Sequence, residues 1–151
     1  MKIQTAHFGE IEIDENNILI FEEGLPGLEH DIRYALLSNE DSRPVCWLQS
    51  LGHKEISLPV MDPFAICRDY SFDISTDDVN ELGIEQVKDV YVLSILVIPQ
   101  NANAMTINLS APIIINVKNK KGRQIILDDR KYRVRVPVSE LLRKPVKDGI
   151  S

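Results

Sequence analysis

Short apolar runs broken by turn residues set the pattern of this chain. Residues 106–116 (TINLSAPIIIN) are typical: two apolar pieces are parted by Ser110, Ala111 and Pro112, and Asn108 and Asn116 have no acid, base or metal-binding neighbour in sequence. That is a packing signal, and it predicts two short strands. Residues 2–8 alternate polar and apolar, Gly9 interrupts, and residues 10–13 alternate again, which predicts a buried face and an acidic, wet face. Further strands are expected over residues 18–21, 32–37, 45–50, 56–61 and 69–74, with Pro59 marking an edge or a strand end. Within 69–74, Tyr70, Phe72 and Ile74 share one face. Trp47, the only tryptophan, is expected in the core. Residues 90–98 (VYVLSILVI) form the longest apolar run and predict a central strand buried on both faces. Residues 113–117 and 123–127 flank a turn at 118–122, with Gly122 expected at positive φ. Residues 132–136 alternate strictly and place Arg133 and Arg135 on one face.

Helical signals are few. Ser75 followed by Asp77 and Asp78 fits an N-cap with an acidic first turn, and Gly83 fits a C-terminal stop. Pro137 suits the first turn of a short helix over residues 138–143, and residues 144–151 are expected to be a loose tail. About ten short strands with tight turns, and no strand–helix alternation, predict an all-β fold, mainly antiparallel. The expectation is a small single-domain β-barrel-like unit over residues 1–143, with one or two short helices.

Composition narrows the class. The chain has 151 residues, 44% of them apolar, enough to bury a core without staples. No apolar run approaches the ~20 residues that span a bilayer, and residues 1–5 lack the apolar core of a signal peptide. A cytoplasmic protein without membrane contact is expected. Cys46 and Cys67 then read as reduced core thiols, outside any zinc-binding spacing. The net charge of −6 is unevenly spread. Acids dominate residues 1–41 and 69–89, and bases dominate residues 118–147.

The same sequence holds no dinucleotide-binding, P-loop or nucleophile-elbow motif, and His7, His30 and His53 lie far apart, so neither an enzyme nor a cofactor site is expected. Candidate contact residues fall in two places. Leu25 and Leu28 flank Pro26-Gly27, which suits a type II turn. They either pin the loop to the core or stay exposed as an apolar contact for a partner. Asp69, Asp73, Asp77 and Asp78 have no base between Arg68 and Lys88 to oppose them. They are either a solvated surface or an acidic face that docks a basic partner. The basic stretch 118–135 offers an alternative, a small barrel that binds RNA. Only Tyr132 lies among those charges to stack a base, and the net acidity opposes phosphate, so direct nucleic-acid binding is not expected.

Several stretches, taken in order, resemble the bacterial flagellar assembly factor FliW family. They are Phe8-Gly9-Glu10-Ile11, Phe21 with Gly24-Leu25-Pro26-Gly27 and Glu29, and Trp47-Leu48-Gln49-Ser50. Asp62-Pro63-Phe64 with Asp69-Tyr70 follows, then Val97-Ile98-Pro99, Thr106-Ile107-Asn108-Leu109, Ala111-Pro112-Ile113 and residues 124–127. Each motif alone is weak, and their order and spacing are specific. Leu28 and Leu58 stand where the family commonly has an aromatic, an apolar-for-apolar change. The resemblance implies a small, largely antiparallel barrel and a non-enzymatic partner switch, expected to be monomeric when free. Such a protein binds flagellin in the cytoplasm. It also binds CsrA, a small RNA-binding regulator that represses flagellin translation. Flagellin that accumulates occupies the factor and frees CsrA. The resemblance maps neither interface onto particular residues.

Overall fold

The structure, a computed structural model, describes residues 1–128 and 131–143. The expected tail at 144–151, and Asp129 and Arg130 of the expected turn, lie outside the described residues. β1 (Lys2–Thr5) and β2 (Gly9–Glu12) form an antiparallel hairpin with Ile3 and Thr5 buried. β3 (Leu19–Ile20), β4 (Arg33–Ser38), β5 (Cys46–Ser50) and β6 (Ser57–Met61) follow as an antiparallel meander. After α1 (Thr76–Leu82) come β7 (Val90–Val97), β8 (Thr106–Ile107), β9 (Ile113–Asn116), β10 (Lys121–Gln124), β11 (Val136–Pro137) and α2 (Val138–Arg143). β7 pairs antiparallel with β6, β9 and β8, while β10 pairs antiparallel with β9 and parallel with β3. Among the described residues, β3, β4, β5, β6, β7, β9 and β10 thereby close a seven-stranded barrel. β8 and β11 extend the sheet from the far end of β7. The expected all-β, barrel-like fold is the one observed.

Strand alternation sorts the side chains into layers. Tyr34, Leu48, Val60, Leu93, Ile113 and Ile115 form the inner cluster, together with Leu19, Phe21 and Leu25. The residues between them are covered from outside. Met61 and Leu96 join Tyr70, Ile107, Leu109 and the α2 residues Val138 and Leu141 in one outer cluster. Val92 and Ile114 pack with Ile125 and with Leu82 of α1 in another. β7 is therefore buried on both sides along its middle, as its apolar run predicts. Towards its ends, Tyr91 and Val97 are 37% and 49% exposed.

α1 obeys its sequence signals. The Ser75 hydroxyl accepts the Asp78 N–H at 3.1 Å, and Gly83 ends the helix in the left-handed region. Other expectations are corrected. Residues 69–74 join no ladder, although Tyr70 is buried, Phe72 and Ile74 are half-buried, and Asp69, Ser71 and Asp73 are exposed. Side chains hold this segment instead: the Tyr70 hydroxyl donates to the Leu109 carbonyl at 2.8 Å, and the Ser71 N–H donates to the Tyr132 hydroxyl at 3.0 Å. The alternation reports burial, not strand pairing. The strand expected over 132–136 shrinks to Val136–Pro137, with Val134 59% exposed. Lys120, not Gly122, takes the positive φ in the β9–β10 turn. Pro59 sits inside β6 opposite Trp47, one residue before the ladder to β7 begins at Val60. Trp47 is half-buried on the outer face of β5, with the His7 ring 4.8 Å away, and so is not a core residue. Cys46 and Cys67 are half-buried and form no disulfide with each other. Burial pushes the Cys46 thiol up from its ordinary value.

Candidate functional site

Leu25 does not serve as an exposed contact. It is 1% exposed in the inner cluster, and Leu28 packs half-buried against the same cluster. The turn between them is closed by the Leu28 N–H donating to the Leu25 carbonyl at 2.8 Å. The Glu29 carboxylate accepts the Gly27 N–H at 2.9 Å, and this bond holds it below the usual carboxylate range. Two leucines that flank a tight turn point the same way, here into the open end of a barrel that needs filling. The loop is pinned to the core.

The aspartates divide. Asp73 and Asp77 are exposed, and Asp69 is exposed with its carboxylate 3.5 Å from the Cys67 thiol that donates to it. Asp78 is committed to the fold: its Oδ1 accepts from Nη1 of Arg123 at 2.7 Å, and its Oδ2 accepts from the Ser75 hydroxyl at 2.9 Å. Arg123, on β10, also reaches Glu23 at 2.8 Å and Glu81. Its proton is held more tightly than usual, first by the hydrogen bond to Asp78. In sequence no base opposes the acidic stretch. In space Arg123 does, because β10 runs under α1. What remains is an acidic rim: Asp73 and Asp77 face solvent beside a cluster in which one guanidinium already meets three carboxylates.

The basic stretch is similarly engaged. Lys118 lies 3.6 Å from Asp89 and 4.0 Å from Glu85, Lys121 lies 3.5 Å from Glu22, and Arg133 bonds Glu140 at 2.8 Å. Cations already paired with carboxylates neutralise fewer phosphates and so release fewer of the counterions condensed on a nucleic-acid backbone.

One concavity escaped the sequence reading. At the end of the barrel where β7 starts, Leu19, Leu36, Tyr91, Ile115 and Val117 line a cavity of about 260 Å³, with Asn17 and Lys120 at its rim. It forms because inward positions 91 and 117 lie past the last filled layer of the core, which ends at Leu19 and Ile115. The only sequence signal was that Tyr91 and Val117 share the phase of the buried Leu93 and Ile115.

Catalytic geometry is lacking where the residue types would suggest it. Ser50, Asp31 and His53 are adjacent, yet the Ser50 hydroxyl donates to Asp31 Oδ1 at 2.7 Å and not to the imidazole. The imidazole does not face the hydroxyl as a general base, and the serine is fully buried. Among the described residues no group of three or more His, Cys, Asp or Glu is placed to hold a metal ion, and no helix is long and apolar enough to cross a membrane.

The class defined so far is a closed, largely antiparallel barrel with a charged rim and an apolar mouth. The comparisons with known proteins make this specific. The pattern of one family, described as FliW protein, matches residues 2–138. A flagellar assembly factor FliW of Thermosipho africanus (strain TCF52B) is 45% identical over 141 residues, covering 93% of this chain and 97% of that protein. The protein of the same description from Caldicellulosiruptor saccharolyticus is 41% identical over 144 residues, covering 95% of this chain and 94% of its own length. A solved structure described as the crystal structure of the flagellar assembly factor FliW superposes with a TM-score of 0.87 at 32% identity, covering 97% of this chain and 99% of that one. The chain belongs to the FliW family.

Proposed function

We propose that this protein is a cytoplasmic, non-enzymatic flagellar assembly factor that acts by binding two proteins in turn, flagellin and the translational regulator CsrA. Its family membership supports the flagellar role. The two partners come from the family resemblance, and the acidic rim beside α1 is the observation that carries the binding reading. Asp73 and Asp77 face solvent there while Arg123 is already saturated by Asp78, Glu23 and Glu81, so the free charge is negative. A basic regulator is steered in by such a face and held without base-by-base mimicry of RNA. Flagellin in this reading needs an apolar contact, and with Leu25 in the core the barrel mouth at Tyr91 and Val117 is where one is offered.

The test is calorimetry with each partner on Asp73→Lys plus Asp77→Lys. CsrA binding is expected to weaken at least about tenfold, ~1.4 kcal/mol, with the melting temperature within a few degrees of wild type. Flagellin binding is expected to change less. Wild-type CsrA affinity should fall as salt rises from low to physiological, since rim charges are screened over about 8–10 Å. Unchanged CsrA affinity in the double variant overturns the assignment of this rim. The RNA-binding alternative predicts a mobility shift of a labelled oligonucleotide at modest salt, and the pairing of Lys118, Lys121, Arg123 and Arg133 weighs against it.

A further inference from the structure

Asp31 sits in the connection between β3 and β4 and is only 6% exposed. Its Oδ1 accepts from the Ser50 hydroxyl at 2.7 Å and lies 2.7 Å from Nδ1 of His53. Among the described residues His53 is its cationic partner. The imidazole is half-exposed, so it exchanges protons with solvent while its partner does not leave the protein. His53 belongs to the loop between β5 and β6, and that loop carries more than itself. The Ser50 Oγ accepts from the Gly52 and His53 N–H groups at 3.1 Å each, and the Lys54 carbonyl accepts from the Gln49 amide at 3.1 Å. The same Lys54 carbonyl accepts the Ala6 N–H at 3.0 Å, from the turn joining β1 to β2. The next residue, His7, lies over Trp47 with ring centroids 4.8 Å apart. A continuous set of contacts thus runs from a buried carboxylate to the cover over the only tryptophan.

We propose that Asp31 and His53 form a proton-operated clasp that seats the N-terminal hairpin on the barrel, so that rising pH loosens the hairpin and uncovers Trp47. The titratable and charged groups facing the pair are His30 and the buried Tyr34 on the Asp31 side and Glu55 in the His53 loop, with Lys54 between His53 and Glu55 in sequence. The hydrogen bond to Asp31, then its charge, raises His53 above the ordinary 6.5. The bonds from His53 and Ser50 lower Asp31 below the ordinary 3.8. On the alkaline side, the His53 contribution is complete below 6.5 and is lost as pH climbs through the raised value. On the acid side, the Asp31 contribution is complete above 3.8 and is lost as pH falls through the lowered value. The clasp is tightest between those limits. A neutral His53 still has one N–H to give, so deprotonation converts a charge-assisted bond into an ordinary one and loosens the loop without releasing it.

Trp47 is the reporter. Quenching of its fluorescence by acrylamide is to be followed from pH 5.5 to 8.5 in wild type, in His53→Gln and in His7→Gln, with the imidazole of His53 and the amide of Ala6 titrated by NMR. The expected result in wild type is one transition, with Trp47 access, the Ala6 shift and the His53 ring sharing a midpoint above 6.5. His53→Gln should remove the transition and leave Trp47 in the accessible state throughout, and His7→Gln should keep it. The proposal is overturned if Trp47 access is flat in wild type, or if the transition survives in His53→Gln. Loss of the transition in His7→Gln overturns it too, since the stacked ring itself would then be titrating. Should His53→Gln not fold, the three wild-type midpoints decide, and disagreement among them overturns the clasp.

Discussion

Gly122 illustrates how much one hydrogen atom decides. In β10 it lies against Phe21, and a Cβ built on it would come within 2.6 Å of a ring carbon. Phe21 is fully buried and is braced edge-on by Tyr34 at 5.4 Å, so the ring has nowhere to retreat. Gly122→Ala is therefore expected to destabilise. Overpacking costs about 1–3 kcal/mol, against a gain of only ~0.4–1 kcal/mol from a stiffer unfolded chain. Denaturant titration measures the sum, and a neutral or stabilising result would mean that the ring yields. The glycine was visible in the sequence and its purpose was not, because glycine serves both positive φ and close approach. The turn went to Lys120 and the close approach to Gly122. Leu25 was ambiguous for a parallel reason: a loop leucine reads the same whether it docks into its own core or into a partner's.

Among the elements, α1 was legible because its signals are local: the Ser75 cap, the acids after it and Gly83. What holds it in place was not. The side-chain amide of Asn116, buried in β9, donates to the carbonyls of Leu82 and Gly83 at 2.9 and 3.1 Å, and Arg123 from β10 grips Asp78. These are contacts between residues far apart in sequence, and no periodicity announces them. Asn116→Ala is expected to cost about 1–3 kcal/mol, because the Gly83 carbonyl loses its side-chain donor and the Leu82 carbonyl keeps only the one from Asn119. Hydrogen exchange should quicken in α1 before the barrel strands. Equal quickening everywhere would show that the helix is not separately tethered. Residues 69–74 teach the complementary lesson. Their alternation foretold which side chains point inward, yet hydrogen-bonding partners depend on what lies alongside, and there Tyr70 and Tyr132 supplied them.

For the whole molecule, β7 is the shared wall of the inner cluster and both outer ones, and the apolar run at 90–98 already marked it as central. Leu93→Ala, at a fully buried position, is expected to cost about 2–5 kcal/mol. If the layers melt together, far-UV dichroism and Trp47 fluorescence will give coincident transitions with an unchanged denaturant slope. Diverging transitions would mean that the outer layer unfolds by itself. The barrel class was legible from strand count and turn spacing. Its closure was not, since that rests on the parallel pairing of Lys121 with Ile20, helped by the Ile20 N–H donating to the Lys120 carbonyl at 2.8 Å. This seam joins Ile20 to Lys121, strands far apart in sequence. On the ribosome β3 therefore emerges long before β10 exists, and at ~5–20 residues per second it waits some seconds beside an unsatisfied strand edge. Throughout that interval the nascent sheet is open along one edge, and the barrel can close only once β10 has been made.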